Sequence, residues 1–349
     1  MVLARLAQTG VFLSLRYLPF QDCAQTDNII IDGEGNDRTR LTLSHWPGNA
    51  TPVEYKAGGD LSAQLVFNYI DADEDAKYGS CQAVSNNHFD EDGLVGIFSM
   101  LNRDYALQNR DLLIDIARAG DFGTFVDRRA AKISFVLNAW THPQLSPLNY
   151  EIFKLPHQKL TAILYEELLW RFPKIIQKLD SLVAYWKDED EFLTQTLEAI
   201  SDGRVRISSS ANSAGDRSYC LVEIDEGVIA VDRPRAASWI SSLIHPMAIH
   251  NATDDMAVLV RQGNRYEFYY RYETWVDYQS RKVIARSDLE PMVGRLSALE
   301  AKYSGSRTPA VWTYNGNDAL IARLRMDGRQ TSKIPFDEFE RLLGIFLSR

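Results

Sequence analysis

An α/β fold in two domains is what this sequence predicts: a mainly parallel sheet with helices over residues 1–215, then a smaller α+β domain over residues 216–349. Three observations carry that expectation. Short β-branched segments alternate with helical periodicity through the first half of the chain. Residues 207–219 then become rich in Ser, Gly, Asn and Asp, and β-rich segments with short polar breaks dominate the rest of the chain. With 349 residues, 45% of them hydrophobic and 24% charged, the chain has the composition to bury a core in both parts.

Asn28-Ile29-Ile30-Ile31 reads as a strand closed by Asp32-Gly33, and Leu41-Thr42-Leu43-Ser44 as a second strand leading into the turn His45-Trp46-Pro47-Gly48-Asn49. Leu65, Val66, Tyr69 and Ile70 fall at helical spacing, with Asp60 as the expected N-cap. Residues 82–86 suggest a short strand, and Leu94 to Leu101 a helix. Leu112, Leu113, Ile116 and Ala117 give another helix, ending before the glycine-flanked loop Ala119-Gly120-Asp121-Phe122-Gly123. Ala130 to Trp140 continues the helical pattern, and residues 157–200 predict two or three helices interrupted at Pro173. Beyond the boundary near 215, strands are expected at Tyr219–Ile224, Gly227–Val231, Met256–Val260, Tyr266–Tyr272 and Ala319–Met326. Helices are expected at Leu289–Lys302 and, entered through Pro335, at Phe336–Leu347.

A net charge of −9 gives no electrostatic footprint for duplex DNA or an anionic membrane surface. No apolar run approaches the roughly 20 residues a membrane helix needs. Arg16 interrupts the apolar stretch Val11–Leu15, which argues against a secretory signal. Three widely spaced cysteines, Cys23, Cys81 and Cys220, form no Cys-x-x-Cys pair and suggest a reducing compartment, so the expected location is cytoplasmic. Phosphate-loop, dinucleotide-fingerprint, His-Glu-x-x-His and Gly-x-Ser-x-Gly motifs are all missing.

Chemistry concentrates in His88-Phe89-Asp90-Glu91-Asp92-Gly93. In an extended segment residues i, i+2 and i+4 project to one side, so His88, Asp90 and Asp92 can converge on one point. One imidazole and two carboxylates suit Mn²⁺, Mg²⁺, Fe²⁺ or Zn²⁺. Gly93 permits a tight turn into the following helix. The competing reading is an acidic surface turn.

The segment Val84-Ser85-Asn86-Asn87-His88-Phe89-Asp90-Glu91-Asp92-Gly93-Leu94 resembles the first motif of the DHH phosphoesterase superfamily, a strand leading into His-x-Asp-x-Asp-Gly and a helix. The resemblance implies a DHH-like N-terminal domain in which His88, Asp90 and Asp92 hold one or two Mn²⁺ or Mg²⁺ ions. It further implies hydrolysis of a small phosphorylated or nucleotide substrate: a phosphodiester, nucleotide or pyrophosphate-type compound. Two ions need further ligands. Asp121 is the first choice, His142 and His157 come second, and His45 lies in a turn from which it can approach the metal off a neighbouring strand. Asp92 and Asp121 are the expected catalytic carboxylates. Arg118, with Arg128 and Arg129, is the expected cationic wall for phosphate. Arg271, Arg281 and Arg286 accompany Tyr269, Tyr270, Tyr272 and Trp275, a mixture that can stack a base, although alternating aromatics in a β-rich segment are more often the core and surface faces of one strand. No Asp-His-His triplet or Gly-Gly-Gly-His signature accompanies the motif, which keeps a second reading open, a non-catalytic metal-binding or interaction protein with a degenerate DHH-like fold.

Overall fold

A computed structural model describes residues 15–210, 219–233, 238–305, 310–316, 320–326 and 330–348. The fold is mixed α/β. By compactness the chain forms two units, residues 1–120 with 136–182, and residues 121–135 with 183–349. The domain boundary expected near residue 215 lies outside the described residues.

The first unit is built on four strands, β1 (Arg16–Tyr17), β2 (Asn28–Ile31), β3 (Thr39–Leu43) and β4 (Ala83–Ser85), in the order β1-β4-β2-β3. Every pair is parallel, as the alternation of strands and helices predicts. Parallel sheets are covered on both faces, which is why β2 reads as the unbroken run Ile29-Ile30-Ile31, each residue buried. Helices Ser62–Ala72 and Glu91–Leu101 pack closely on this sheet. A Cβ added at Gly96 would lie 2.5 Å from Ile31 Cγ2, so only glycine permits that approach. Pro173 does not break its helix: His157–Gln177 runs through it, with Phe172, Ile175 and Ile176 buried on either side to hold the turn in place.

The second unit carries a six-stranded sheet of β5 (Val205–Ser210), β6 (Tyr219–Ile224), β7 (Ala257–Gln262), β8 (Arg265–Tyr270), β9 (Trp312–Tyr314) and β10 (Arg323–Met326), in the order β5-β6-β7-β8-β10-β9. Only β6 and β7 run parallel; the other pairs are antiparallel. Alternation along β7 shows why both faces are covered. Ala257 and Leu259 join Met292, Leu296, Phe339 and Phe346 on one face, while Val258 and Val260 join Val222, Ile240 and Leu243 on the other. Two expectations fail here. Gly227–Val231 is not a strand, and Val205–Ser210, whose serines suggest a loop, is an edge strand in full register with β6. Ala319, expected in a strand, lies outside the described residues. Tyr269 and Tyr270 are core residues, and buried Arg271 donates to the Thr253 carbonyl at 3.0 Å and pairs with Glu273 at 2.5 Å. These groups serve the core and do not present a base-stacking face.

His250 is buried in this unit. Its Nδ1 donates to the Phe122 carbonyl at 2.9 Å and its Nε2 accepts from the Tyr269 hydroxyl at 3.1 Å. Burial, then the charge of Arg271, holds its imidazole well below the ordinary range. Because the folded value is depressed, the unfolded chain binds the extra proton, and stability drops as pH falls through about 6.5. Urea unfolding at pH 7.5, 6.5 and 5.5 is expected to show a slope from this group of up to about 1.4 kcal/mol per pH unit, shallower in His250→Gln. Equal slopes in the two proteins would reject the assignment.

Candidate metal centre

Three adjacent strands deliver the site, each from its carboxyl end, where open α/β sheets bind ligands. Asp32 follows β2 directly, His45 lies just beyond β3, and the loop Asn86-Asn87-His88-Phe89-Asp90 follows β4. Since β2 stands between β4 and β3, Asp32 is central. Its backbone takes a φ of 56°, a left-handed conformation that Asp tolerates better than most residues and that turns the carboxylate across the strand ends. The Asp32 N–H remains in the ladder, donating to Leu43 O at 2.9 Å.

Asp32 belongs to two ligand groups. Asp32, His45 and Asp92 form one, wholly buried; Asp32, His88 and Asp90 form the other, in which His88 and Asp90 reach solvent. In the inner group His45 Nδ1 contacts the Asp60 carbonyl at 2.7 Å. A carbonyl only accepts, so Nδ1 carries the proton and Nε2 turns its other side to Asp32 Oδ1 at 3.4 Å and Asp92 Oδ2 at 3.9 Å. Metal-binding histidines are oriented by this kind of outer hydrogen bond. In the outer group His88 Nε2 stands 2.8 Å from Asp90 Oδ2 and 3.4 Å from Asp32 Oδ2. Asp32 Oδ2 is buried and makes no hydrogen bond.

The supports explain the remaining positions. Asp90 does not simply alternate with its neighbours. It caps the Glu91–Leu101 helix, its Oδ1 accepting from Gly93 N at 2.8 Å. The i, i+2, i+4 geometry therefore stops at Asp90, and Asp92 lies in the first helical turn, facing the other way. Its Oδ2 and Oδ1 accept from Ser62 N at 2.7 Å and Ala63 N at 2.8 Å, the N-terminus of the Ser62–Ala72 helix. Asp92 thus fills the capping role expected of Asp60. Ser62 Oγ donates to Asp32 Oδ1 at 2.7 Å. Asn86 accepts from His88 N at 3.3 Å and donates to Tyr165 Oη at 3.1 Å, so the His157–Gln177 helix braces the loop.

The charge balance of the cluster invites a cation. Burial, followed by the charge of Asp90, pushes both Asp32 and Asp92 up to about 7. Burial opposes the charge of His88 also, yet Asp90 and Asp32 outweigh it and push the imidazole up to about 11. Burial likewise disfavours ionised Asp90, but His88 more than offsets this and holds it below the usual carboxylate range. Three converging carboxylates with two imidazoles, one carboxylate oxygen lacking a hydrogen bond, is a donor set that fits divalent metals.

Of the residues expected from sequence, His88 and Asp90 come together, and Asp92 joins them only through Asp32. His45 is a member of the inner group. Asp121 and His142 belong to neither group. Asp121 is the last residue of helix Arg110–Asp121 instead of a loop residue, and His142 Nδ1 accepts from Gln144 N at 3.3 Å in the turn after Arg128–Thr141. His157 is exposed at the start of its helix. Arg118 pairs with Asp115 one turn away at 3.3 Å, and Arg128 with Asp190 at 2.6 Å; Arg129 is exposed. The residue missed was Asp32, and its signal was a carboxylate directly after the apolar run Ile29-Ile30-Ile31.

The fold and the cluster define a mixed α/β protein with a histidine–carboxylate site at the carboxyl edge of a parallel sheet. The chain matches the family of unknown function DUF6687 over residues 13–343 and belongs to that family. No curated protein and no solved structure matches it. No helix among the described residues is long and apolar enough to cross a membrane.

Proposed function

We propose that the two ligand groups hold divalent ions, Mn²⁺ or Mg²⁺, and that the chain is a metal-dependent hydrolase of a phosphoester. The observation that carries the reading is Asp32, a buried carboxylate on left-handed backbone, shared by two histidine-bearing groups. Structures store backbone strain of this kind chiefly at functional sites. Ions bound there would supply Lewis acidity and a water of lowered pKa.

The chain's own part is positional. His45 and Asp92, fixed by the Asp60 carbonyl and by the helix N–H groups, close the inner position. His88 and Asp90 leave the outer position open to solvent, where substrate can arrive. Phosphoester chemistry is supported by the resemblance of His88-x-Asp90-x-Asp92-Gly93 to the DHH first motif. A metal-binding protein without turnover is the second reading, favoured by one observation: Arg118 and Arg128, the arginines expected to hold phosphate, are committed to Asp115 and Asp190.

Elemental analysis of protein purified without a histidine tag, followed by assay on bis(p-nitrophenyl) phosphate and pyrophosphate with added Mn²⁺, tests both. Bound metal that His88→Ala and His45→Ala each reduce, with turnover lost in both variants, is the expected result. Metal without turnover selects the second reading, and absence of metal rejects the centre.

A further inference from the structure

A cavity of about 440 Å³ opens beside the centre, walled by the residues that directly follow two of its ligands, Gly33 after Asp32 and Trp46 after His45. The Trp46 ring lies 5.0 Å from the His88 ring, centroid to centroid, so one aromatic surface runs from the ligand group to the cavity. One of its walls is β3, lined from Thr39 to Thr42 and the last strand in the order β1-β4-β2-β3 among the described residues.

The register decides what that edge offers. Ile31 is opposite Leu43, and Asp32 N donates to Leu43 O, so Leu41 and Leu43 direct their peptide groups towards β2. Thr42 therefore directs its N–H and C=O the other way. The β2–β3 register uses neither group, and Thr42 lines the cavity. The outward peptide groups of an edge strand offer a ready donor–acceptor pair to a ligand in the cavity. Charge narrows the ligand further. Arg40, the cation on this wall, is held by Asp27 at 3.0 Å, and Glu34 adds a negative charge, so the cavity has no positive surplus for a second phosphate.

We infer that this cavity is the subsite for the non-reacting part of the substrate, and that it takes a planar, uncharged heteroaromatic ring with adjacent donor and acceptor. The ring docks edge-on against the Thr42 peptide groups, with the Trp46 indole as its wall. The inference rests on the hydrolase reading for placing the reacting group at the metal centre; recognition of the ring does not require metal.

Uridine, which has the ring and no phosphate, is the probe, titrated into the full chain with chelator present and followed by tryptophan fluorescence and ligand-detected NMR. Thr42→Pro removes the outward N–H and leaves the bonds to β2 intact, because edge strands tolerate proline where no ladder bond is made. Thr42→Val keeps the backbone groups. Saturable binding that falls at least about tenfold in Thr42→Pro and in Trp46→Ala, and stays within about twofold in Thr42→Val, is expected. The same pattern in a protein that turns over no ester supports the subsite and sinks the hydrolase reading. Lack of saturable binding, or equal affinity in Thr42→Pro, Trp46→Ala and wild type, overturns the subsite, even if Mn²⁺-loaded protein hydrolyses phenyl phosphate and methyl phosphate.

Discussion

Asp32→Asn is expected to weaken Mn²⁺ binding by about a hundredfold or more while making the chelated protein more stable. Asparagine accepts left-handed backbone as readily as aspartate, and its side-chain oxygen can still accept from Ser62 Oγ, so the strand end should keep its shape. What disappears is the charge. In the metal-free protein Asp32 is pushed up to about 7 by burial and by Asp90, above the ordinary carboxylate range. A raised folded value means that the native state holds the proton longer than the unfolded chain does. The stability tied to Asp32 is therefore fully present near pH 4 and lost as pH rises towards 7, at up to about 1.4 kcal/mol per pH unit. Thermal melts with chelator at pH 5 and pH 7.5 should show wild type losing more stability over that interval than Asp32→Asn. Calorimetric titration with Mn²⁺ should show the reverse ranking for the metal. A variant that binds Mn²⁺ like wild type would remove Asp32 from the centre.

The position of Asp32 between two strands also explains why some of this site could be read from sequence and some could not. His88 and Asp90 were legible because both lie in the short loop between β4 and the Glu91–Leu101 helix, although the chain bends at Asn87 and His88. Asp92 was assigned to the right site by the wrong geometry. Once Asp90 caps the helix, the next two residues turn at helical pitch, and Asp92 points at the N-terminus of Ser62–Ala72. Asp32 was obscured by local chemistry, and His45 was read only as a turn residue able to approach the metal. Asp-Gly after a strand and Ser-His-Trp-Pro-Gly-Asn between elements both satisfy turn rules, and only the strand order places them beside β4. Asp121 was chosen for its place between glycines, and His142 and Arg118 for nearness in the chain, which a parallel sheet does not preserve. Its neighbours meet through crossovers, so ligands gather by strand order and not by sequence distance. The fold was easier, because periodicity reports burial and burial decides elements. It failed at Val205–Ser210, where serines occupy an edge strand.

Gly93→Ala should damage the centre without replacing a ligand residue. A Cβ there would lie 2.4 Å from both Asn86 Nδ2 and Tyr165 Oη, and 3.1 Å from Asp90 Oδ1. Asn86 and Tyr165 are buried and bonded to each other at 3.1 Å, so neither can swing into solvent to make room. Relief requires parting that pair, and Asn86 is also the acceptor for His88 N. Overpacking of this kind costs about 1–3 kcal/mol, against which the helix propensity of alanine returns at most about 1 kcal/mol. Gly344→Ala makes the comparison clean. It lies within helix Phe336–Leu347 with open space at its Cβ, so there the propensity gain should appear as added stability. Urea unfolding and Mn²⁺ titration of both variants read the two effects separately. Gly93→Ala should lose stability and metal affinity together, while Gly344→Ala keeps full affinity. Adding Tyr165→Phe to Gly93→Ala removes one of the two clashing atoms and should recover part of both losses, as residues in direct contact couple. A double variant no better than Gly93→Ala would show that the brace from the His157–Gln177 helix does not hold the His88 loop.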